Sequence, residues 1–321
     1  MRNPNEMPPR AAMGLPSAFV DRLGSDLMSR HADLLDADVK SLVSVVESTT
    51  AATQRRFAAG IVLALRGDPR ISVAHPQMIA LPGGEVRLGL PAADIDRVVA
   101  EWEHRDVRRE WICKESPDYV CSIRPFAIAR FPVTNFEYRK FLDATKSKFL
   151  PTSWQFGIYP LWFANHPVWT ISPEAADAYA AWLSDLTGRR FRLPNEAEWE
   201  YAASLDDGRE FPWGERFEEK CANTVENGPL TTTPVGMYPL GRSKMGLDDL
   251  GGNVEEYTSS NYAAYPDGQL VVDDLQEICG TYRVARGGSF TRYGDLARCK
   301  RRHGWYPGAI YAMGFRLAES T

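Results

Sequence analysis

The sequence predicts a loop-rich α+β fold preceded by an N-terminal helical hairpin. Three observations point there. Apolar residues recur at helical spacing through residues 17–66. After Pro76 the texture changes to short apolar runs separated by aromatic-rich loops and isolated helical stretches. From Phe211 onward no helical period returns, and long irregular segments in a compact domain usually form binding surfaces.

Residues 1–16, rich in Pro and polar groups, read as a flexible lead-in. Residues 17–70 read as a helical extension. Ser17 caps a first helix with Phe19, Val20, Leu23 and Leu27 on one face and Leu34 and Leu35 near its end. A second spans about residues 36–65, with Val39, Leu42, Val43, Val46, Phe57, Ile61 and Leu65 at helical spacing. The Ser48-Thr49-Thr50 cluster is a candidate break, and Gly67-Asp68-Pro69 closes the region.

Residues 76–321 form the main domain. Met78 to Gly89 reads as two strands around a Gly83-Gly84 turn, followed by a helical insertion over 92–109 and a strand over 119–128. Thr134 and Glu137 are spaced as a capping box, so a helix starts there. Ser172-Pro173-Glu174 opens another, which Gly188 ends, and Asn195 caps a third through Trp199 and Tyr201.

Composition narrows the function classes. Lys+Arg 37 against Asp+Glu 42 leaves a net charge of −5, which gives no case for nucleic acid or a membrane surface. No apolar run reaches the ~18 residues a spanning helix needs. Five Cys in 321 residues is a sparse, odd set that favours reduced thiols, so a cytoplasmic location is expected.

An ordered series of motifs from Met78 onward resembles the formylglycine-generating enzymes (sulfatase-modifying factors), a family that includes ergothioneine-type sulfoxide synthase domains and a pyoverdine-maturation protein. The series includes Pro82-Gly-Gly-Glu-Val-Arg-Leu-Gly89, Phe131-Pro-Val-Thr-Asn-Phe-Glu-Tyr138, His166-Pro-Val-Trp169 and Arg192-Leu-Pro-Asn-Glu-Ala-Glu-Trp199. It continues with Gly251-Gly-Asn-Val-Glu-Glu-Tyr257, Arg286-Gly-Gly-Ser-Phe290 and Gly314-Phe-Arg-Leu317. Each motif is weak alone, but their order over about residues 76–319 is specific. The resemblance implies a C-type-lectin-like fold and, often, bound calcium. Its calcium loops match Asn223, Asn253, Val254 (through its carbonyl) and Glu256. Glu255 and Tyr257 stand where the family has tryptophans, and Glu255 there is a ligand, a substrate contact or a solvated face.

The family's chemistries make separate demands. Its copper oxidase uses two thiolates five residues apart, and those positions are Arg292 and Ala297 here. Its sulfoxide synthases use iron on three histidines, whereas residues 17–66 contain only His31. Iron or copper therefore remains an expectation only for a site assembled from distant residues, such as His303 with Asp295.

The resemblance places the cleft after the Gly-Gly-Ser motif. In Arg298-Cys-Lys-Arg-Arg-His303, a strand would put Arg298, Lys300 and Arg302 on one face and Cys299, Arg301 and His303 on the other. Arg292, Arg298, Arg302, Trp305 and Asp295 are the expected substrate-binding residues, because Arg forks suit carboxylate or phosphate. His303, Tyr306 and Cys299 are the expected catalytic groups. The opposing reading is that Asp248-Asp249 and Asp273-Asp274 neutralise the cationic run.

Two functions compete. One is an oxygen-dependent oxidoreductase acting on a small amino-acid-like or peptide substrate, without the paired copper cysteines. The other is a non-catalytic ligand-binding or display module on the same fold. A protein partner at the N-terminal helices is a further expectation.

Overall fold

A computed structural model describes residues 3–205 and 207–320. Nine short strands make three small sheets: β1 (Met78–Leu81), β2 (Gly84–Leu88), β3 (Tyr119–Ile123), β4 (Phe126–Ala129), β5 (Phe191–Arg192), β6 (Glu255–Asn261), β7 (Arg283–Arg286), β8 (Met313–Phe315) and β9 (Ala318–Ser320). One sheet is antiparallel in the order β1-β4-β9-β5, the second pairs β2 with β3, and the third runs β7-β6-β8 with β6 and β8 parallel.

β1 and β2 flank the Gly-Gly turn, but they do not pair with each other. Gly83 sits at φ 66° with Ile123 O only 2.1 Å from where a Cβ would be, so the turn directs the two strands to different partners. The expected strand over 119–128 is likewise divided into β3 and β4.

The capping signals hold. Glu137 Oε2 accepts the Thr134 N–H at 2.8 Å and the Thr134 hydroxyl at 2.7 Å, opening helix Asn135–Thr145. Asn195 and Glu198 make the same reciprocal box before helix Glu196–Ser204. Tyr138, Phe141, Tyr179, Leu183 and Phe315 fill one core cluster. Trp199, Ile128, Leu247 and Cys299 belong to a second. Each such large side chain contributes about 1.5–3 kcal/mol on burial.

The N-terminal region departs from a simple hairpin. Asp21 Oδ1 accepts the N–H of Leu23 and Gly24 in an Asx turn, which competes with helix, and Phe19 is 89% exposed. Only Leu27–Arg30 and the 3₁₀ turn Ala32–Leu35 remain of the first expected helix. The second is cut into Val39–Val46 and Thr53–Arg66 where Ser48 Oγ accepts the Thr50 and Ala51 N–H groups. These helices pack on the main domain: Leu42, Val46, Phe57 and Leu63 share a cluster with Met237 and Tyr238. Residues 3–16, expected to be a flexible lead-in, hold the turn Pro4–Glu6 and helix Pro9–Ala12 against the domain, with Ala12 and Met13 packed on the first core cluster. Among the described residues no helix is long and apolar enough to cross a membrane.

Candidate functional site

The segment after β7 leaves the sheet through Gly287 (φ 94°) and Gly288 (φ 68°), passes the 3₁₀ turn Gly294–Ala297, and returns beside β7. His303 and Ala285 then exchange backbone hydrogen bonds at 3.1 and 2.8 Å. Residues 298–302 make no strand, so the expected alternation of faces does not occur. Buried carboxylates instead claim Arg298, Lys300 and Arg302 one by one.

Arg302 donates to both oxygens of Glu196 at 2.8 and 2.7 Å and lies over the Tyr265 ring at 4.0 Å. Arg298 spans Glu210 at 2.8 Å and Glu115 at 2.9 Å. Arg286 bonds Glu196 and Glu200, and Lys300 bonds the Gly208 carbonyl at 2.5 Å. All four residues are buried. Arg298 and Arg302, expected to bind substrate, are thus engaged in buried ion pairs, with Arg298 Nη2 left without a hydrogen-bond partner. The neutralising acids are not those anticipated from the sequence.

Cys299, expected among the catalytic groups, sits in the core. It lies fully buried in the second core cluster, its N–H bonds the Glu210 carbonyl at 2.7 Å, and burial pushes its thiol far above the ordinary range. Trp305 is half exposed in a separate hollow with Tyr257, Cys279 and Arg283. Asp295 is buried, 3.6 Å from Arg301 Nε.

A second group does converge. His303, Arg292 and Arg301 line one small pocket with Trp111, Lys114, Asp273, Asp274 and Tyr311, and Pro4 and Asn5 close it. The space left is about 10 Å³, room for about one water. The His303 ring stacks on Tyr311 at 5.5 Å, Tyr306 stacks on Tyr311 at 5.8 Å, and the Arg292 guanidinium lies 5.1 Å over the same ring. His303 Nδ1 meets Glu255 Oε2 at 2.5 Å, leaving Nε2 as the nitrogen available to a substrate. Burial pushes the imidazole below its ordinary value, more than Glu255 raises it. Burial also pushes Glu255 up, but His303, Arg292 and Arg301 together draw it below the usual range. The pair is thus a neutral ring donating to a carboxylate, the arrangement of an oriented general base.

Three polar atoms around this pocket have no hydrogen-bond partner: Arg292 Nη1, Arg301 Nε and Glu255 Oε1. Lys114 is taken by Asp273 at 2.5 Å, and burial lowers its ammonium to about 8. Sequence reasoning found His303, Arg292 and Tyr306 but missed Tyr311, Lys114 and Asn5. Glu255 had carried a signal, an acid in place of an expected aromatic. Two larger hollows, of about 670 and 510 Å³, flank helix Thr53–Arg66 and lie apart from this group.

Of the expected metal ligands, Glu256 and Asn253 are engaged by protein groups, whereas Asn223 Oδ1 is buried without a hydrogen-bond partner. Glu256 gives both oxygens to Arg316 at 2.6 Å and accepts Trp199 Nε1 at 2.7 Å. Asn253 Oδ1 accepts the Thr233 N–H at 3.0 Å and its amide donates to Thr233 O, tying two loops together. Asn223 donates to Thr231 O at 3.0 Å, and Val254 is buried beside this junction. Glu256 thus serves as a core ion-pair acceptor. Among the described residues no three His, Cys, Asp or Glu side chains gather as a metal site. Arg292 and buried Ala297 cannot hold copper as a thiolate pair, and His303 is the one histidine lining the pocket, so neither family metal fits this donor set.

The family model for the sulfatase-modifying factor enzyme 1-like domain matches residues 67–321. The chain belongs to this family. Sulfatase-modifying factor relatives differ in what they are named for. The serine/threonine-protein kinase Pkn1 of Chlamydia trachomatis serovar L2 is 34% identical over 227 residues, covering 64% of this chain and 35% of the kinase. Hercynine oxygenase of Mycobacterium tuberculosis is 32% identical over 240 residues, covering 64% and 55%. The chain therefore spans about a third to about half the length of these two relatives. The mouse protein named inactive Cα-formylglycine-generating enzyme 2 is 30% identical over 320 residues, covering 81% and 92%. Among solved structures, PvdO from Pseudomonas aeruginosa superposes with TM-score 0.57 at 27% identity, over 77% of this chain and 95% of PvdO. The mixed helix-and-sheet architecture is that of this sulfatase-modifying factor family.

Proposed function

We propose that this sulfatase-modifying factor family protein is an oxygen-dependent oxidoreductase acting on a small amino-acid-like or peptide substrate at the His303 pocket. The observation that carries the reading is the buried His303–Glu255 pair, 2.5 Å apart, beneath a stack of Tyr311 and Arg292. The similarity to hercynine oxygenase supports oxidation by dioxygen as the reaction class. His303 Nε2 takes a proton from the substrate. An adjacent substrate bond to hydrogen then breaks as a double bond forms, so the substrate gives dioxygen two electrons. Dioxygen leaves as hydrogen peroxide, with one proton returned through the imidazolium and the second taken from that broken bond. Arg292 and Arg301 hold a substrate carboxylate, and Glu255 fixes the ring's tautomer. Oxygen uptake and peroxide release with a panel of amino acids and short peptides test this, with His303→Gln as control. No uptake by the unaltered protein on any of them overturns it.

A second reading has its own observation. Arg298, Lys300 and Arg302 are spent on internal carboxylates and Cys299 is buried, so a ligand-binding or display module without catalysis needs only the pocket. Calorimetric binding of one of those compounds, without oxygen consumption, decides for it.

A further inference from the structure

We propose that residues 3–13 are an internal cover on the His303 pocket, seated by the Asn3 and Asn5 carboxamides and displaced before a ligand enters. Asn5 Nδ2 donates to Asp274 Oδ2 at 2.7 Å and Asn3 Nδ2 donates to the same oxygen at 2.9 Å. Tyr311, whose ring carries the His303 stack, donates its hydroxyl to Asn5 Oδ1. Asn3 caps the turn Pro4–Glu6 by accepting the Asn5 N–H at 3.0 Å, so the seated segment is preshaped. Further along, Gly14 adopts φ 64° with the Tyr293 hydroxyl 2.0 Å from where a Cβ would stand. A side chain at this positive φ is strained and would have to displace the Tyr293 hydroxyl, so glycine suits the covered path.

Two features make this segment a cover and not a permanent wall. Neither Pro4–Glu6 nor Pro9–Ala12 contains a buried residue, and Ala12 and Met13 are only partly buried against the first core cluster, so modest apolar area and a few side-chain hydrogen bonds hold the segment down. The cover also fails to satisfy what lies beneath. Arg292 Nη1, Arg301 Nε and Glu255 Oε1 stay without hydrogen-bond partners, with Asp295 no nearer than 3.6 Å to Arg301 Nε, while Pro4 and Asn5 line the pocket beside the two arginines. Unpaired buried groups are costly, so a ligand offering an anionic acceptor to the two arginines, and a donor to Glu255, gains what the cover leaves unmade. The consequence for turnover rests on the pocket being the working site; the closure itself does not.

The test reads closure without any substrate. The full chain is treated with diethyl pyrocarbonate, and modification of each histidine is followed by peptide mass mapping. His104 is exposed and reports reagent, whereas His166 is buried in the core and reports folding. In the unaltered protein His303 reacts far more slowly than His104. Asn3→Ala combined with Asn5→Ala raises the His303 rate about tenfold, the weight of one hydrogen bond to a charged group, with His166 still protected. Gly14→Val, acting from the other end, gives the same rise; if it unfolds the chain and exposes His166, the asparagine variant still decides. A synthetic peptide of residues 1–16 added to that variant restores protection. An unchanged His303 rate in the folded asparagine variant, or a His303 as reactive as His104 in the unaltered protein, overturns the proposal. Because oxygen uptake is not read, this failure is distinct from failure of the oxidase reading.

Discussion

Arg302 and Glu196 form a two-point clamp, Nε to Oε1 at 2.8 Å and Nη2 to Oε2 at 2.7 Å, with both side chains buried. Glu196 also receives Arg286 at 2.7 Å, so one carboxylate organises two guanidinium groups. Burial alone would raise its pKa, but Arg286 and Arg302 more than offset that and hold it below the usual range.

Sharing makes the clamp asymmetric to mutation. Glu196→Gln removes the charge that both arginines need and should cost about 3–5 kcal/mol, the penalty for breaking a buried pair. Arg302→Met leaves Glu196 still bonded to Arg286 and should cost clearly less. Urea denaturation of the two variants checks the order; equal losses would contradict the shared-acceptor geometry.

Cys299 should behave as a core residue. With its thiol raised by burial, it should resist an aromatic disulfide reagent in the native protein and react only on unfolding. Cys299→Ala should leave oxygen uptake unchanged. Rapid native labelling of Cys299, located by mass mapping, would return it to the reactive groups.

His303→Gln should lower turnover by about 10²–10⁴-fold, the range of a lost general base, with little change in melting temperature. Its pKa lies below the ordinary 6.5, so the ring stays neutral as pH falls to that point, and the rate declines only at more acid pH. Glu255→Gln removes the carboxylate that holds the ring's pKa up. The acid limb should then move lower still while kcat falls. A limb at or above the ordinary histidine range contradicts the neutral-base assignment.

His166 makes stability acid-sensitive. Burial pushes its pKa down to about 3, with only a hydrogen bond to the Thr232 backbone in compensation. The unfolded chain takes up this proton near 6.5 and the folded chain does not. Stability is therefore lost as pH falls from about 6.5 toward 3, by up to about 1.4 kcal/mol per unit. His166→Phe should flatten that slope in pH-dependent denaturant melts; an unaltered slope would assign the sensitivity elsewhere.

Calcium chelation should leave the fold intact. Glu256 is committed to Arg316 and Trp199, and Asn253 to Thr233, so EDTA should shift the melting temperature by less than the ~2–4 °C that 1 kcal/mol produces in a large domain. A larger fall, reversed by added calcium, would show that the Asn223–Asn253 loops bind the ion.

Local chemistry determined much by itself. The capping residues Thr134, Ser172 and Asn195, the stop at Gly67 and Gly188, and the apolar faces through Tyr138 and Tyr179 depend on neighbours within a turn or two, and the sequence displays those neighbours directly. The ordered motifs also carried the family. Tertiary structure decided which cations are free. Arg298 and Arg302 look alike along the chain as possible anion binders, yet Glu115, Glu196 and Glu210 reach them from 88 to 183 residues away. Arg292 stacks on a tyrosine that had given no signal, and Asn5 reaches Asp274 across 269 residues. A charge's role is set by whichever opposite charge is buried beside it, and that pairing exists only once distant segments have packed together.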